Sequence, residues 1–347
     1  MGSKCQSLFI RADANARIGT GHLMRCLALA QAWKAQGGQA MFITSCESGG
    51  LWRRLSDEGF QIIMVERSYP DPADWEITSR ALAAHSDAWV VLDGYHFHPA
   101  YQRQIKEAGH QLLVIDDTAH LDYYYADVVL NQNINAEWLH YSCDPYTRLL
   151  LGTRYVLLRL EFLAWQGWQR EIPPVARKVL VTLGGGAPDN QTLKVIQALQ
   201  QVDGDGLEAV VIVGVSNPHF QQELQSAIHD SRFLIRLVRN AIDMPELIAW
   251  ADVAVSAGGS TCWELAFMGL PAVVVVLAEN QEGIAAGLGK AGVVLNLSWH
   301  TEVSIAQVAN TLVGLLEDCD LRRQMSRQGR ELVDGLGAER VVESMWT

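Results

Sequence analysis

Short unbroken apolar runs alternate along the chain with stretches whose apolar positions recur every three or four residues. From Ser7 the runs are Leu8 to Ile10, Ala40 to Thr44 and Ile62 to Val65, separated by helical patterns beginning near His22 and near Leu51. This order reads as βαβαβ. Further strands are expected at Trp89 to Leu92, Leu112 to Ile115 and Val128 to Leu130, all without the polar alternation of a one-sided sheet. Such runs belong to parallel sheets covered on both faces. The pattern stops at Ile172-Pro173-Pro174, because paired prolines neither continue a helix nor donate to a central ladder. Beyond it the alternation restarts with Val179 to Leu183, Ala209 to Val213, Phe233 to Leu237, Val253 to Ser256 and Ala272 to Leu277. The prediction is an α/β protein of two Rossmann-like, doubly wound domains, 1–172 and 173–347, facing a central cleft. The helices after Glu302 read as packing elements, free to pack back on the first domain.

Composition narrows the function. With 49% hydrophobic and 19% charged residues the chain can bury a large core. Its formal net charge of −12 repels nucleic acid and anionic membrane surfaces, so an anionic ligand needs local donors. The longest apolar run, Ala272 to Ala278, is too short to span a bilayer, and the start of the chain lacks a secretory pattern. A cytoplasmic, non-membrane protein is expected. Its six cysteines form no C-x-x-C pair and no zinc spacing, and are read as reduced and mostly buried.

Three loops carry candidate chemistry. In the first, a strand ending near Arg11 passes through Asp13 into Ile18-Gly19-Thr20-Gly21-His22, and Leu23, Cys26, Leu27, Ala30 and Trp33 then mark one helix face. Gly19 and Gly21 allow close backbone approach, and the helix N-terminus favours an anion. Met24 stands where a dinucleotide fingerprint needs a third glycine or alanine, which counts against a nicotinamide enzyme. His22, at the helix start, is either a neutral base able to take a proton from water or a structural capping histidine.

The second loop follows Leu183: Gly184, Gly185 and Gly186 precede Asp189, Asn190 and a helix, and serve either as a diphosphate cradle or as a tight turn. The third is more specific. Ser256-Ala257-Gly258-Gly259-Ser260-Thr261-Cys262-Trp263-Glu264 is strand, glycine turn and helix start, followed by a second strand ending at Glu279-Asn280-Gln281. The exposed amides suit a diphosphate, and Glu264, one turn beyond Ser260, can accept from ribose hydroxyls; the bland alternative is a surface Glu on a capped helix.

Taken together, Arg11-x-Asp13, Ile18-Gly-x-Gly-His22-x-x-Arg25, Asp93-Gly94-Tyr95, Ile115-Asp116-Asp117, Asn131-Gln132-Asn133, Gly152 to Phe162, Ala257 to Glu264 and Asn280-Gln281 resemble, in order, the UDP-sugar hydrolases of pseudaminic acid biosynthesis and their spore-coat polysaccharide relatives. Hydrolases of this kind remove UDP from a 2,4-diacetamido-2,4,6-trideoxy-altrose nucleotide. The resemblance implies a GT-B-type fold, a small-molecule UDP-sugar as partner, and no cofactor or metal. It implies that His22 assists an attacking water, that Tyr95 lies at the sugar, with Asp13 on the same catalytic side, and that Gly258, Gly259, Ser260, Thr261 and Glu264 hold UDP. Gly19, Gly21, Arg25, Gly184, Gly185, Asn280 and Gln281 complete the expected substrate contacts. Asn15 stands where the family usually has Ser, and Gly94 where it often has His. The second-domain signature is also similar to that of the transferase that adds N-acetylglucosamine to the peptidoglycan lipid precursor. A UDP-sugar-dependent glycosyltransferase and a non-catalytic nucleotide-sugar binder are therefore the rivals.

His96 and His98 share one side of an extended segment near Asp93 but lack matched third and fourth metal ligands. Asp116 and Asp117, after a buried run, could bind a cation, but Thr118 and the turn that follows favour the reading as capping residues.

Overall fold

The computed structural model describes residues 6–15, 18–184, 189–203, 206–214, 218–229, 231–239, 241 and 243–346, with backbone alone at 189–190 and 218–221. Among these residues the first sheet comprises β1 (Ser7–Ala12), β2 (Gln39–Thr44), β3 (Gln61–Met64), β4 (Trp89–Asp93), β5 (Gln111–Ile115), β6 (Val128–Asn131) and β7 (Arg148–Leu151). The order is β3-β2-β1-β4-β5-β6-β7, with every pairing parallel. The second sheet comprises β8 (Lys178–Thr182), β9 (Glu208–Val213), β10 (Leu234–Arg239), β11 (Val253–Ala257), β12 (Ala272–Val276) and β13 (Val294–Trp299), in the order β10-β9-β8-β11-β12-β13 and again parallel. Two doubly wound α/β units follow, as the sequence pattern predicts.

The apolar runs are unbroken because both faces are covered. On β1, Leu8 and Ile10 join a core with Leu23, Leu27, Val91 and Leu113, while Phe9 enters the opposite core with Val90, Leu92, Leu112 and Tyr101. In the second unit Val179, Val181, Val253, Val255 and Val273 share one core. Each fully buried side chain of this size contributes about 1.5–3 kcal/mol, so truncating Leu27 to Ala in this setting costs about 2–5 kcal/mol.

Two strands escape the sequence pattern. No α-helix separates β6 from β7; the connection carries only the short 3₁₀ turn Ala136–Trp138, which breaks the strand–helix alternation. At the other sheet's edge, β13 is only partly buried, so its sequence lacks a continuous apolar signal.

Contacts divide the chain into Met1–Leu160 with Gly335–Thr347, and Glu161–Asp334. The residues just before Pro173 sit with the second unit because Arg170 is buried and donates to carbonyls of Ile248 (2.7 Å), Met268 (3.2 Å) and Ala251. The helix Gly337–Trp346 returns to the first unit and packs against the helix Gly21–Ala35, with the rings of Trp33 and Trp346 5.4 Å apart. No helix among the described residues is long and apolar enough to cross a membrane.

In each sheet the strand order reverses at one point, between β1 and β4 in the first and between β8 and β11 in the second. The loops leaving the carboxyl ends there diverge, which opens a crevice for a ligand. In the first unit Ala12 pairs with Asp93 and Asp93 with Ile115, so Asp13, Asp93 and Asp116-Asp117 emerge side by side.

Candidate active site

The first loop of the first unit closes on Asn15, whose side chain accepts from the Ile18 amide (2.9 Å) and whose carbonyl accepts from Gly19 (2.9 Å). Gly19 has φ 75°, a conformation that a glycine adopts without cost. The helix Gly21–Ala35 begins directly afterwards, and Thr20 at its N-cap makes no side-chain cap hydrogen bond. His22 and Arg25, three residues apart, lie on one face of the first turns and point at the same carboxylate.

That carboxylate is Asp93, fully buried at the end of β4. His22 Nδ1 lies 2.5 Å from its Oδ1, and Arg25 donates to both oxygens, Nε to Oδ2 at 2.6 Å and Nη2 to Oδ1 at 2.7 Å. The Cys26 thiol adds a weak contact to Oδ2 at 3.4 Å. Burial alone would raise the Asp93 carboxyl, but Arg25 and His22 hold it well below the usual carboxylate range. An ionised Asp93 only accepts, so it fixes the His22 proton on Nδ1 and leaves Nε2 as the ring's acceptor.

Arg25 continues to Asp117, with Nη1 2.6 Å from Oδ2. Desolvation by burial opposes its charge, and Asp117 and Asp93 more than restore it. The guanidinium expected to touch substrate is therefore 7% exposed and already committed to two protein carboxylates. Asp117 also accepts from the Tyr95 hydroxyl (3.0 Å) and from Asn133 Nδ2 (3.0 Å). The Tyr95 ring stands edge-on to His22, with centroids 5.3 Å apart.

Asp13 belongs to a neighbouring network. Its oxygens accept from Arg11 and from the Ser45 amide at 2.7 Å, His96 Nε2 lies 3.2 Å away without hydrogen-bond geometry, and Arg11 is clamped in turn by Asp74. His98 starts the helix Pro99–Glu107 instead of joining His96, and among the described residues no three His, Cys, Asp or Glu side chains converge on a metal site.

Asp116 does form the expected turn cap, its Oδ1 accepting from the Thr118 amide, the Thr118 hydroxyl and the Ala119 amide at 2.9–3.2 Å. Asp117, next to it, is a hub that the capping reading passes over. Asp93, Asp117 and Asn133, quoted in the sequence only as parts of motifs, are site members to which no catalytic or binding role was given there. The available signal was positional: polar residues at the carboxyl ends of adjacent parallel runs.

In the second unit, Ser256 is buried and donates to the Thr182 carbonyl at 3.1 Å, joining β11 to β8. Gly258 is buried because Gln281 closes over it; a Cβ at 258 would lie 3.0 Å from the Gln281 carbonyl oxygen. Gln281 is held by the Leu277 amide, which donates to its Oε1 at 3.0 Å, and its Nε2 lies 3.9 Å from where a Gly259 Cβ would stand. Ser260 occupies the N-cap of the helix Thr261–Phe267 without spending its hydroxyl on the cap. Cys262 and Trp263 turn into the core, whereas Thr261 and Glu264 are half-buried on the outer side of the first turn. Asn280 lies beside Gln281 in the 3₁₀ turn Glu279–Gln281, half-buried. Gly184 is exposed with φ 82°; Gly185 and Gly186 lie outside the described residues, as do the side chains of Asp189 and Asn190.

Residues 179–336 match the Glycosyltransferase family 28 C-terminal domain. Along its whole length the chain is similar to a crystal structure of MurG from Acinetobacter baumannii, with a TM-score of 0.68 at 17% identity over 98% of this chain and 99% of that one. The fold is GT-B-like. Among curated proteins, the GT-B-like chain is 25% identical to the spore coat polysaccharide biosynthesis protein SpsG of Bacillus subtilis over 96% of each. It is also 25% identical to a Helicobacter pylori protein named pseudaminic acid cytidylyltransferase and UDP-2,4-diacetamido-2,4,6-trideoxy-beta-L-altropyranose hydrolase, over 56% of this chain and 34% of that protein.

Proposed function

We propose that the protein hydrolyses a UDP-linked amino-deoxy sugar to UDP and free sugar, in the biosynthesis of a surface polysaccharide or nonulosonic acid. The observation that carries the reading is the His22–Asp93 pair: a histidine whose Nδ1 proton is fixed by a buried carboxylate at 2.5 Å and whose Nε2 is left to accept. That is the arrangement of an oriented general base. In the proposed step a water oxygen bonds to the anomeric carbon while the bond from that carbon to the diphosphate oxygen breaks. His22 Nε2 takes the water proton, Asp93 stabilises the imidazolium, and UDP departs as an anion. In the second unit, the amides at Gly258 to Thr261 suit the diphosphate and Glu264 suits the ribose. Tyr95 faces the sugar. Arg25 acts by holding Asp93 and Asp117 in place, and Asp13 by holding the loop around it.

The name of the Helicobacter pylori relative supports hydrolysis. The match to a glycosyltransferase C-terminal domain favours a second reading, in which His22 takes the proton of an acceptor hydroxyl instead of water. One assay decides. UDP release is followed over a panel of UDP-sugars, diacetamido-trideoxy sugars included, with and without acceptors. Release without an acceptor is the expected result. Release only when an acceptor is added replaces the hydrolase with a transferase. Tight binding with the sugar left intact makes the protein a nucleotide-sugar binder.

A further inference from the structure

His120 lies outside the pair just described and plays no part in the proposed proton transfer. It is partly exposed, and both of its ring nitrogens face acceptors: Nδ1 is 2.8 Å from Asp116 Oδ2, and Nε2 is 3.0 Å from the backbone carbonyl of Tyr95. A backbone carbonyl carries no proton. Neither does Asp116, because its Oδ1 accepts from Thr118 and Ala119 and its Oδ2 accepts from the Tyr124 hydroxyl as well. The Nε2–H therefore donates to the Tyr95 carbonyl, and the Asp116 carboxylate, an ion-pair contact 2.8 Å from Nδ1, favours the second proton that makes the ring an imidazolium.

The bridge ends on the residue that stands beside His22. Tyr95 follows Gly94, whose φ of 156° departs from the usual range of side-chain-bearing residues. Its hydroxyl is held by Asp117 and its ring packs edge-on against His22 on one side and His120 on the other, with centroids at 5.3 and 5.6 Å. The His120 contact fixes the backbone from which that ring projects.

We propose that His120 is a positioning residue, held as the imidazolium, that ties the Tyr95 carbonyl to the Asp116 carboxylate and thereby sets the Tyr95 ring beside His22. Its consequence for turnover rests on the reading that Tyr95 faces the sugar. The groups facing His120 are Asp116, the Tyr124 hydroxyl behind it, and Tyr95, whose own hydroxyl is taken by Asp117 beside Arg25. Burial lowers the proton affinity of His120, but Asp116 and the Tyr95 carbonyl more than reverse this. The sign follows: the bridge is complete at low pH, survives above the ordinary histidine value of about 6.5, and opens as pH rises through the raised value.

The test uses protein labelled with ¹³C at histidine Cε1, with the His120 resonance assigned by its absence in His120→Gln, or in His120→Arg should the Gln variant not fold. The expected midpoint lies above about 6.5, and the Tyr95 ring resonances move with it. A midpoint at or below that value, or Tyr95 resonances that stay still through it, overturns the proposal. Turnover supplies a second reading. The wild-type kcat for UDP release declines on the alkaline side with the same midpoint. In His120→Gln that decline disappears, kcat falls by about 10- to 100-fold, the size of a small misplacement, and UDP affinity is kept. His120→Arg, always charged and with donors on two sides, regains kcat and keeps it at high pH. An alkaline decline that persists in His120→Gln overturns the proposal. If no UDP-sugar is turned over by any of these proteins, the hydrolase reading fails, and the resonance midpoint decides this proposal alone.

Discussion

His22 and Asp93 are 71 positions apart in the sequence, yet Nδ1 and Oδ1 stand 2.5 Å from each other. The register of β1 against β4 brings them together: Ala12 pairs with Asp93, so the helix that begins after the β1 loop starts directly over the end of β4. The proposed base can be taken apart one group at a time. His22→Ala should lower turnover by roughly 100-fold or more, the usual contribution of a general base, with UDP affinity little changed. Steady-state kinetics paired with UDP calorimetry separates the two quantities. Turnover near that of the wild type would return His22 to its structural reading.

Asp93→Asn tests the orientation. The amide keeps the shape of the carboxylate but can present N–H to Nδ1, which favours the wrong tautomer. The loss in kcat should be on the order of 100- to 10,000-fold. The His22 ring ¹⁵N shifts should show the proton moving from Nδ1 to Nε2. A variant with unchanged shifts and lowered kcat would leave Asp93 acting through charge and not through the tautomer.

The buried carboxylates also set the acid limit of the fold. Burial raises Asp13, Asp93 and Asp116, but their partners outweigh it: His96 and Arg11 for Asp13, Arg25 and His22 for Asp93, and His120 and Tyr124 for Asp116. All three are depressed in the folded protein. Their contribution is complete above the unfolded value of about 3.9 and is lost as pH falls below it toward the folded values. Thermal melts between about pH 5 and 2.5 should show a steep fall in Tm, shallower in Asp93→Asn. A parallel profile would show that Asp93 contributes nothing to acid sensitivity.

Gly94 departs from the resembled family, in which His is frequent, and the structure gives a local reason. Its φ is 156°, and a Cβ there would lie 2.8 Å from His96 Cε1 and 3.3 Å from Phe97. Gly94→Ala should therefore cost about 1–3 kcal/mol, the range for strained backbone, measured by chemical denaturation. A neutral result would mean that His96 swings aside freely, at the expense of its contact with Asp13.

Much of this was legible in the residues. The parallel sheets followed from runs such as Trp89 to Leu92, apolar on both faces, and the loops at Gly19 and Gly258 from glycines placed between a strand and a helix. The partners within the site were not. Asp93 and Asp117 read locally as the end of a strand and the start of a turn, and only strand order, which local periodicity does not encode, puts them on one guanidinium. Arg25, expected among the substrate contacts, has surroundings that local sequence does not reveal: two buried acids that need a cation.

Glu264 offers a separate test of the nucleotide loop. It lies half-buried in the first turn of the helix Thr261–Phe267, one turn beyond Ser260 and Thr261. A carboxylate accepting from ribose hydroxyls contributes about 1.5–3 kcal/mol. Glu264→Ala should therefore weaken UDP binding by roughly 10- to 150-fold while the melting temperature changes little. Unchanged UDP affinity by calorimetry removes Glu264 from the nucleotide site.

The bond that breaks can be read from isotope. If His22 Nε2 takes a proton from water attacking carbon, the incoming oxygen stays with the sugar, and the oxygen between sugar and phosphorus leaves with UDP. In ¹⁸O-labelled water the label should then appear at the anomeric hydroxyl and be absent from UDP. Attack at phosphorus reverses the outcome, because the new oxygen becomes part of the terminal phosphate. The sugar analysis must be rapid, since a free anomeric hydroxyl exchanges slowly with water through the open-chain form. UDP has no such route at neutral pH, which makes it the decisive product. Mass spectrometry of UDP after a single turnover should find unlabelled nucleotide, and His22→Ala, at its lower rate, should give the same pattern wherever residual turnover persists. Label in UDP would sink attack at carbon and with it the role assigned here to His22 and Asp93.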